Sequence, residues 1–457
     1  MSHKSLLAAV TAFLLASAAF TPVKRLGDAS CYWMISSSIL YDRDLVYSPV
    51  DAKRALERVF DDLPSGIFVT EIGGKFIYAK PPHYSIVCLP FFALLKEKGF
   101  LIANSLMLAA IIAFLYEMLG KTTQSLLIAL LFTLASNLYI YMYWIDPLVF
   151  ISFLLVLSYY LWLRGRRALA MTALGVAASI RLLDAAMAAP LFLQVARERK
   201  LRELPLLIAA MAAPLAAVTA AYLMIYQKPT PYLCSCYYLT SKESFLNPRS
   251  GIYDPATVPL VSPLLSLKLI AYNLAYALVG RRSGILLYNT PLLLAIASAK
   301  TSDRLGREAF LFSIATVAAS AILRPSYYQG GYLTIGNRYY AAYPLTALAC
   351  RKPPRRHLLA AAVLSIVFSA PLASNPLYHS IMYKHHLWSP PYSFFPMEKT
   401  ILGADPDIQG ADYMGYYLDW NSYTAEEGFF WTRGGTSAKL FIKTRGHRAL
   451  ELSLIHI

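Results

Sequence analysis

The chain has 457 residues, of which 57% are hydrophobic and 15% charged, and its mean hydropathy is +0.47. A soluble domain carries about 25% charged residues, so this composition excludes an ordinary soluble protein and predicts one that crosses a membrane several times. The formal charge is +16, but the basic residues fall in short links at 164–167, 197–202 and 351–356 that separate apolar runs. That is the positive-inside pattern that orients membrane helices. It is not the single basic surface of a nucleic-acid-binding protein.

Apolar runs at 5–23, 100–119, 125–143, 147–163, 204–226, 309–323 and 358–373 each approach the roughly 17–25 residues that cross a bilayer. With the basic links on the cytoplasmic side, one path satisfies them all. The first run leads outward. Ala16-Ser17-Ala18 within it also reads as a signal-peptide cleavage site, but the remaining topology needs the helix. Residues 24–99 stay outside. They include an amphipathic stretch at 50–62 and a short apolar stretch at 84–95, containing Pro90, suited to the interface or to partial insertion. The runs 100–119, 125–143 and 147–163 cross in turn and leave Asp146 at the outer surface. Residues 168–196 have basic clusters at both ends, so two short helices meeting near Arg181 and Asp184 fit better than one span. The run 204–226 leads out to a second external loop, 227–283, with an interfacial helix around 264–279. Segments 285–299, 309–323, 339–350 and 358–374 complete a membrane domain over residues 1–374.

The fold class expected is thus an all-α multispanning membrane protein of about ten or eleven helices, followed by a small extracytoplasmic β-rich domain at 375–457. There Pro, Tyr and Trp dominate, and 429–432, Arg433-Gly434-Gly435 and 438–444 read as strand, turn, strand. Residues 448–457 read as the start of a third strand. The chain stops in strand-like sequence, as a truncated one would, and 452–457 resemble translated adapter sequence.

Cys88 and Cys350 lie in apolar context and read as core residues. Cys31, Cys234 and Cys236 fall in the external loops, as unbridged thiols, as part of one structural bridge or, less readily, as metal ligands. His379, His385 and His386 have no metal-site spacing and are expected on the surface.

Four positions carry chemistry, and the path puts all of them on one side of the membrane. They are Asp28 with Tyr32 and Trp33, followed by Asp42-Arg43-Asp44; Lys80-Pro81-Pro82-His83-Tyr84; Asp146-Pro147; and Gly330-Gly331-Tyr332 with Gly336-Asn337-Arg338-Tyr339. This set suits transfer from an anionic lipid donor, a sugar on a polyprenyl phosphate. Lys80 and Arg338 would hold the phosphate and stabilise it as it leaves. Asp28 would be the general base. Asp146 would orient the acceptor or share a divalent metal with Asp28. Tyr32, Tyr84, Tyr339 and Arg181 are candidate substrate contacts. Each has a plainer reading: Asp28 and Asp146 as helix caps, Lys80 as a snorkelling anchor, Arg338 on lipid headgroups, and Arg181 and Asp184 as a mutually neutralising pair.

These same residues resemble a known family. Gly27-Asp28 with Tyr32, Lys80-Pro81-Pro82 before a short apolar segment, Asp146-Pro147 at a helix start, and Gly330-Gly331, Gly336, Arg338-Tyr339 and Pro344 occur in the order found in the polyprenyl-phosphate-dependent membrane glycosyltransferases of the GT-C fold. That group includes the protein O-mannosyltransferases and the lipid A aminoarabinose transferases. The stretch 281–291, with Gly284 and Tyr288, is similar to a segment these proteins carry before a late helix. The resemblance covers residues 5–375. It implies an inverting reaction on the outer face of a prokaryotic plasma membrane, in which a protein, lipid or glycan hydroxyl attacks C1 and polyprenyl phosphate leaves. Ala29 stands where the family usually has Glu, and no Trp-Trp-Asp-Tyr-Gly signature is present, which argues against an oligosaccharyltransferase. The competing expectation is a transporter or flippase of lipid-linked sugars, although no repeated halves of the kind many transporters carry are evident. A third is a non-catalytic scaffold that displays the C-terminal domain.

Overall fold

The computed structural model describes residues 2–23, 28–58, 67–254, 267–323, 330, 335–351, 353–377, 385–396 and 398, and four short strands beyond them. Among these residues five helices are long and apolar enough to cross a membrane: His3–Phe20, Lys98–Met118, Leu201–Tyr226, Arg304–Leu323 and Arg355–Ser374. Lys98–Met118 is the central one, with 61% of its apolar window buried in the protein. His3–Phe20 and Leu201–Tyr226 bury only 11%, so their apolar surfaces need lipid. Shorter apolar helices, His83–Leu95, Thr123–Leu134, Leu148–Leu163 and Arg167–Ile180, pack among them.

Five long spans replace the larger number expected, because apolar composition does not guarantee an unbroken helix. The run 125–143 breaks after Leu134, where the Ser136 hydroxyl accepts from Leu138 N and starts a new helix, Asn137–Tyr141. The run 285–299 is divided by Asn289-Thr290-Pro291 into Ile285–Tyr288 and Leu292–Ser298. The run 339–350 becomes a 3-10 helix, Tyr343–Cys350, with all its residues buried. Such irregular backbone survives at depth because protein surrounds it.

Other expectations meet their elements directly. Residues 168–196 form Arg167–Ile180, a 3-10 turn Leu182–Ala188 and Ala189–Arg197, broken at the extended Arg181. The amphipathic stretch is the helix Pro49–Arg58, with 59–62 outside the described residues. The short apolar stretch is His83–Leu95, which keeps Pro90 inside it and exposes Ile86, Val87, Leu94 and Leu95. A helix, Leu267–Val279, stands where an interfacial one is expected.

The two long loops are not independent. Strands β1 (Val46–Tyr47), β2 (Ile67–Ile72) and β3 (Lys75–Tyr78) come from the first, and β4 (Cys236–Leu239) and β5 (Ile252–Asp254) from the second. They make one antiparallel sheet in the order β1-β3-β2-β4-β5. A two-residue Gly73-Gly74 turn joins β2 to β3, as twisted hairpins favour. Pairing of Val69 with Tyr237 sews the loops together.

Beyond the last long helix, β6 (Gly415–Leu418), β7 (Ser422–Thr424), β8 (Phe430–Thr432) and β9 (Leu440–Lys443) form two antiparallel pairs. The strands expected on either side of Arg433-Gly434-Gly435 are present but do not pair with each other. β8 pairs with β7, and β9 reaches back to β6. Alternation of side chains marks a strand without saying which neighbour it takes. The third strand expected at 448–457 lies outside the described residues.

None of the five cysteines forms a disulfide. His386 is buried rather than on the surface, with its Nε2 3.0 Å from the Tyr288 hydroxyl and its ring against Tyr392. His379 and the side chain of His385 lie outside the description.

Candidate functional site

The helices share two ends. At one, where the basic links lie, Glu117, at the end of Lys98–Met118, pairs with Lys121 and Arg164. At the other, Lys98 donates to the carbonyls of Ala19 and Thr21 at the end of the first helix. The second end gathers Asp28, Lys80, Asp146, Arg181 and Arg338.

Asp28 precedes the helix Ala29–Tyr41 at its N-cap. Its backbone is already helical, with φ −70° and ψ −8°, and its side chain caps nothing. The carboxylate turns instead to Lys80 Nζ and Arg338 Nη2, each 3.1 Å away. Lys80 stands where the sheet stops. Ala79 N still donates to Phe68 O at 2.8 Å, but Pro81 and Pro82 have no N–H to continue the ladder. The Lys80 ammonium lies over the Phe68 ring, 4.5 Å from its centroid, and 5.7 Å from that of Tyr232.

Asp146 does two jobs. Its Oδ1 accepts from Leu148 N at 2.8 Å, capping Leu148–Leu163, and its Oδ2 meets Arg338 Nη1 at 3.1 Å. It thus caps the start of a helix, as its plainer reading expects, and also lies in the charged cluster. One guanidinium thus joins two carboxylates.

Arg338 is held from several sides. Gly336 has φ +62°, and its N donates to Arg282 O at 2.7 Å. The Tyr141 hydroxyl donates to Ile335 O at 3.0 Å, and Asn137 Nδ2 to Asn337 O at 3.2 Å. Asn337 Oδ1 accepts from Tyr339 N at 2.9 Å. Gly330, with φ +105°, lies against the Arg338 side chain, which a β-carbon at 330 would strike; only glycine tolerates both conditions.

Arg181 forms a two-bond pair with Asp184, at 2.7 and 2.8 Å, so the neutralising reading holds for it. Its Nη1 also donates to Arg338 O at 3.3 Å. The half-buried Tyr339 ring lies 5.9 Å from the Arg181 guanidinium and 6.0 Å from that of Arg338.

Two cations and two carboxylates balance in charge, yet their environments differ. Burial acts to raise the Asp28 carboxyl, but Lys80 and Arg338 outweigh it and hold it down at about 2. Burial raises Asp146 above the usual carboxylate range, against the downward pull of Arg338. Burial acts to lower Lys80, but Asp28 wins and raises it. The side chains of Asp28, Lys80 and Arg338 expose 14%, 13% and 17% of their surface, so the cluster is confined but reachable.

Two of the expected substrate contacts are corrected. Tyr32 and Tyr84 are 3% and 1% exposed and pack edge to face at 5.4 Å. The Tyr84 hydroxyl donates to Asn104 Oδ1 at 3.1 Å, and Asn104 Nδ2 donates to Trp144 O at 2.8 Å. They support the floor that carries Asp146, because large aromatic rings on mostly apolar segments settle into the core. Asp42 and Asp44 stay out of the cluster: Asp42 binds Arg54, and Asp44 accepts from Ser38 and Val46 N. His83 lies between Ser179 and Tyr222.

Sequence reasoning missed Phe68 and Tyr232. Neither has a distinctive neighbour motif, and the sheet and the second loop bring them to Lys80. A metal shared by Asp28 and Asp146 does not fit this arrangement, since Arg338 occupies the bridging position between them. Among the described residues no three of His, Cys, Asp and Glu gather as a metal-ligand set. No protein-family model, curated protein or solved structure matches the chain.

Proposed function

We propose that the chain is an integral membrane glycosyltransferase of the GT-C type. It moves a hexose or pentose from a polyprenyl-phosphate donor to an acceptor hydroxyl on the extracytoplasmic face, with inversion at C1. The observation that carries this reading is the pairing of one carboxylate, Asp28, with two cations, Lys80 and Arg338, each at 3.1 Å. They stand at the end of the helices opposite the basic links, and the positive-inside rule supports reading that end as the extracytoplasmic one.

The chemistry follows from competition for those cations. A donor phosphate takes Lys80 and Arg338 from Asp28, with the Arg fork matching two phosphate oxygens and Lys acting as a point charge. Asp28 then loses the charges that hold its carboxyl at about 2, and its basicity rises as substrate binds. The acceptor O–H gives its proton to Asp28 while its oxygen attacks C1. The bond from C1 to the phosphate oxygen breaks, and the electron pair leaves with polyprenyl phosphate. Lys80 and Arg338 stabilise the charge that grows on that oxygen. Asp146 keeps Arg338 aimed, and Tyr339 and Arg181 line the approach.

The test uses the full chain in vesicles supplied with labelled polyprenyl phospho-hexose or phospho-pentose. Wild-type protein should release polyprenyl phosphate and transfer label to an added protein, lipid or glycan acceptor. Lys80→Ala and Arg338→Ala should weaken donor binding. Labelled lipid carried intact across the bilayer, with no polyprenyl phosphate released, would instead identify a transporter.

A further inference from the structure

The chain beyond the last long helix returns to the loop that supports Arg338. Arg281 donates from Nε to Phe395 O at 2.9 Å, from Nη2 to Ser393 O at 2.8 Å, and from its backbone N to Pro396 O at 2.9 Å. Two residues further on, Glu398 is fully buried. Its Oε1 accepts from Arg282 N at 2.8 Å, Ser283 N at 2.7 Å and Ser283 Oγ at 2.8 Å. Gly280, lacking a side chain, leaves room for that oxygen. Among the described residues Oε2 has no hydrogen-bond partner.

A carboxylate so buried is costly, and hydrogen bonds from three donors offset the cost only in part. No apolar residue could make those bonds. Arg282 is the pivot. Its N–H is held by Glu398, and its carbonyl accepts from Gly336 N at 2.7 Å. Gly336 lies two residues ahead of Arg338, in the turn that directs the guanidinium at Asp28 and Asp146.

We infer that Glu398 is a positioning residue for Arg338. It locks the loop 280–284, and through the Arg282 carbonyl it sets the turn that holds the guanidinium between the two carboxylates. Residues 385–396 and Glu398 therefore form a strap that completes the site from behind, rather than a linker to an appended domain. The consequence for catalysis rests on the proposed glycosyl transfer. The consequence for the turn does not.

Two readouts on the full chain in lipid nanodiscs separate these. In hydrogen exchange, Glu398→Ala should speed exchange of peptides covering 335–342 by about tenfold and leave those of Lys98–Met118 unchanged, the mark of local opening. Glu398→Gln retains an oxygen acceptor and should restore protection. Unchanged exchange at 335–342 in Glu398→Ala overturns the inference, and so does an equal acceleration over the whole chain. If Glu398→Ala does not fold, Ser283→Ala, which removes one of the three donors, decides by the same local-to-global ratio. In the transfer assay, Glu398→Ala should raise the donor KM more than it lowers kcat, with rescue by Glu398→Gln. If local opening is seen but the wild-type chain transfers no sugar, the positioning role stands and the glycosyltransferase reading falls.

Discussion

The two ends of the helices use the same side chains to different ends. At the end with the basic links, Arg304 pairs with Glu308 at 3.3 Å while 65% of its side chain is exposed, and Lys200 pairs with Glu198 at 3.2 Å with 51% exposed. At the other end, Arg338 and Asp146 pair at 3.1 Å with 17% and 6% exposed. In water the gain from such a pair is offset by the entropy of holding long side chains, and it amounts to about 0–1 kcal/mol. Where water is mostly excluded, each charge depends on its partner, and removing one strands the other. The first end can orient the chain without great precision. The second can hold a reacting group in place.

The sharpest way to break the contrast is at Asp28. Asp28→Asn keeps the shape and removes the proposed base, so turnover of the lipid-linked donor should fall by about 10²–10⁴-fold while the protein still inserts and folds. Normal turnover in that variant removes Asp28 from the catalytic role. Arg338→Ala should follow in size. It leaves Asp28 short of one cation and Asp146 without its ionic partner, and should destabilise the protein by about 3–5 kcal/mol in denaturant or thermal unfolding in detergent. A loss under 1 kcal/mol, on the same scale as an exposed pair, would dissolve the distinction between the ends.

A pH series comes next. The Asp28 carboxyl is held at about 2 against an ordinary value of 3.8, so its folded-state value is depressed. Its contribution, about 2 kcal/mol, is present above the unfolded value and is lost as pH falls through about 2. Lys80→Met should shift that loss to higher pH, seen as a raised midpoint of acid unfolding. An unchanged midpoint would mean that Lys80 does not hold the Asp28 proton off. The smallest effect is expected from Arg304→Ala at the basic end, within about 1 kcal/mol of wild type and screened by salt.

Much of this was legible in the sequence for simple reasons. Apolar length identified all five long helices found among the described residues, and basic links showed which ends belong together. Asp28, Lys80, Asp146 and Arg338 stand out because ionisable groups at the edges of apolar runs are expensive to keep. The break at Arg181 could be inferred from charge at both ends of one segment. Tyr32 and Tyr84 were misjudged because an aromatic beside a charged motif looks the same in sequence whether it lines a site or lies beneath it. The breaks at Ser136 and Pro291 were missed because hydropathy counts apolar residues and not continuous helical hydrogen bonds.

The sequence by itself determined that the chain is mostly helical, with several helices long and apolar enough to cross a membrane, and it determined which charges gather at one end. It could do so because burial of apolar surface and of charge is read residue by residue. Only the tertiary structure decided that two distant loops share one sheet, that Arg338 joins Asp28 to Asp146, and that Glu398 supports the loop behind it. Those facts depend on hydrogen bonds between residues from 115 to 310 positions apart, and no local pattern of side chains records which partner a distant group will meet.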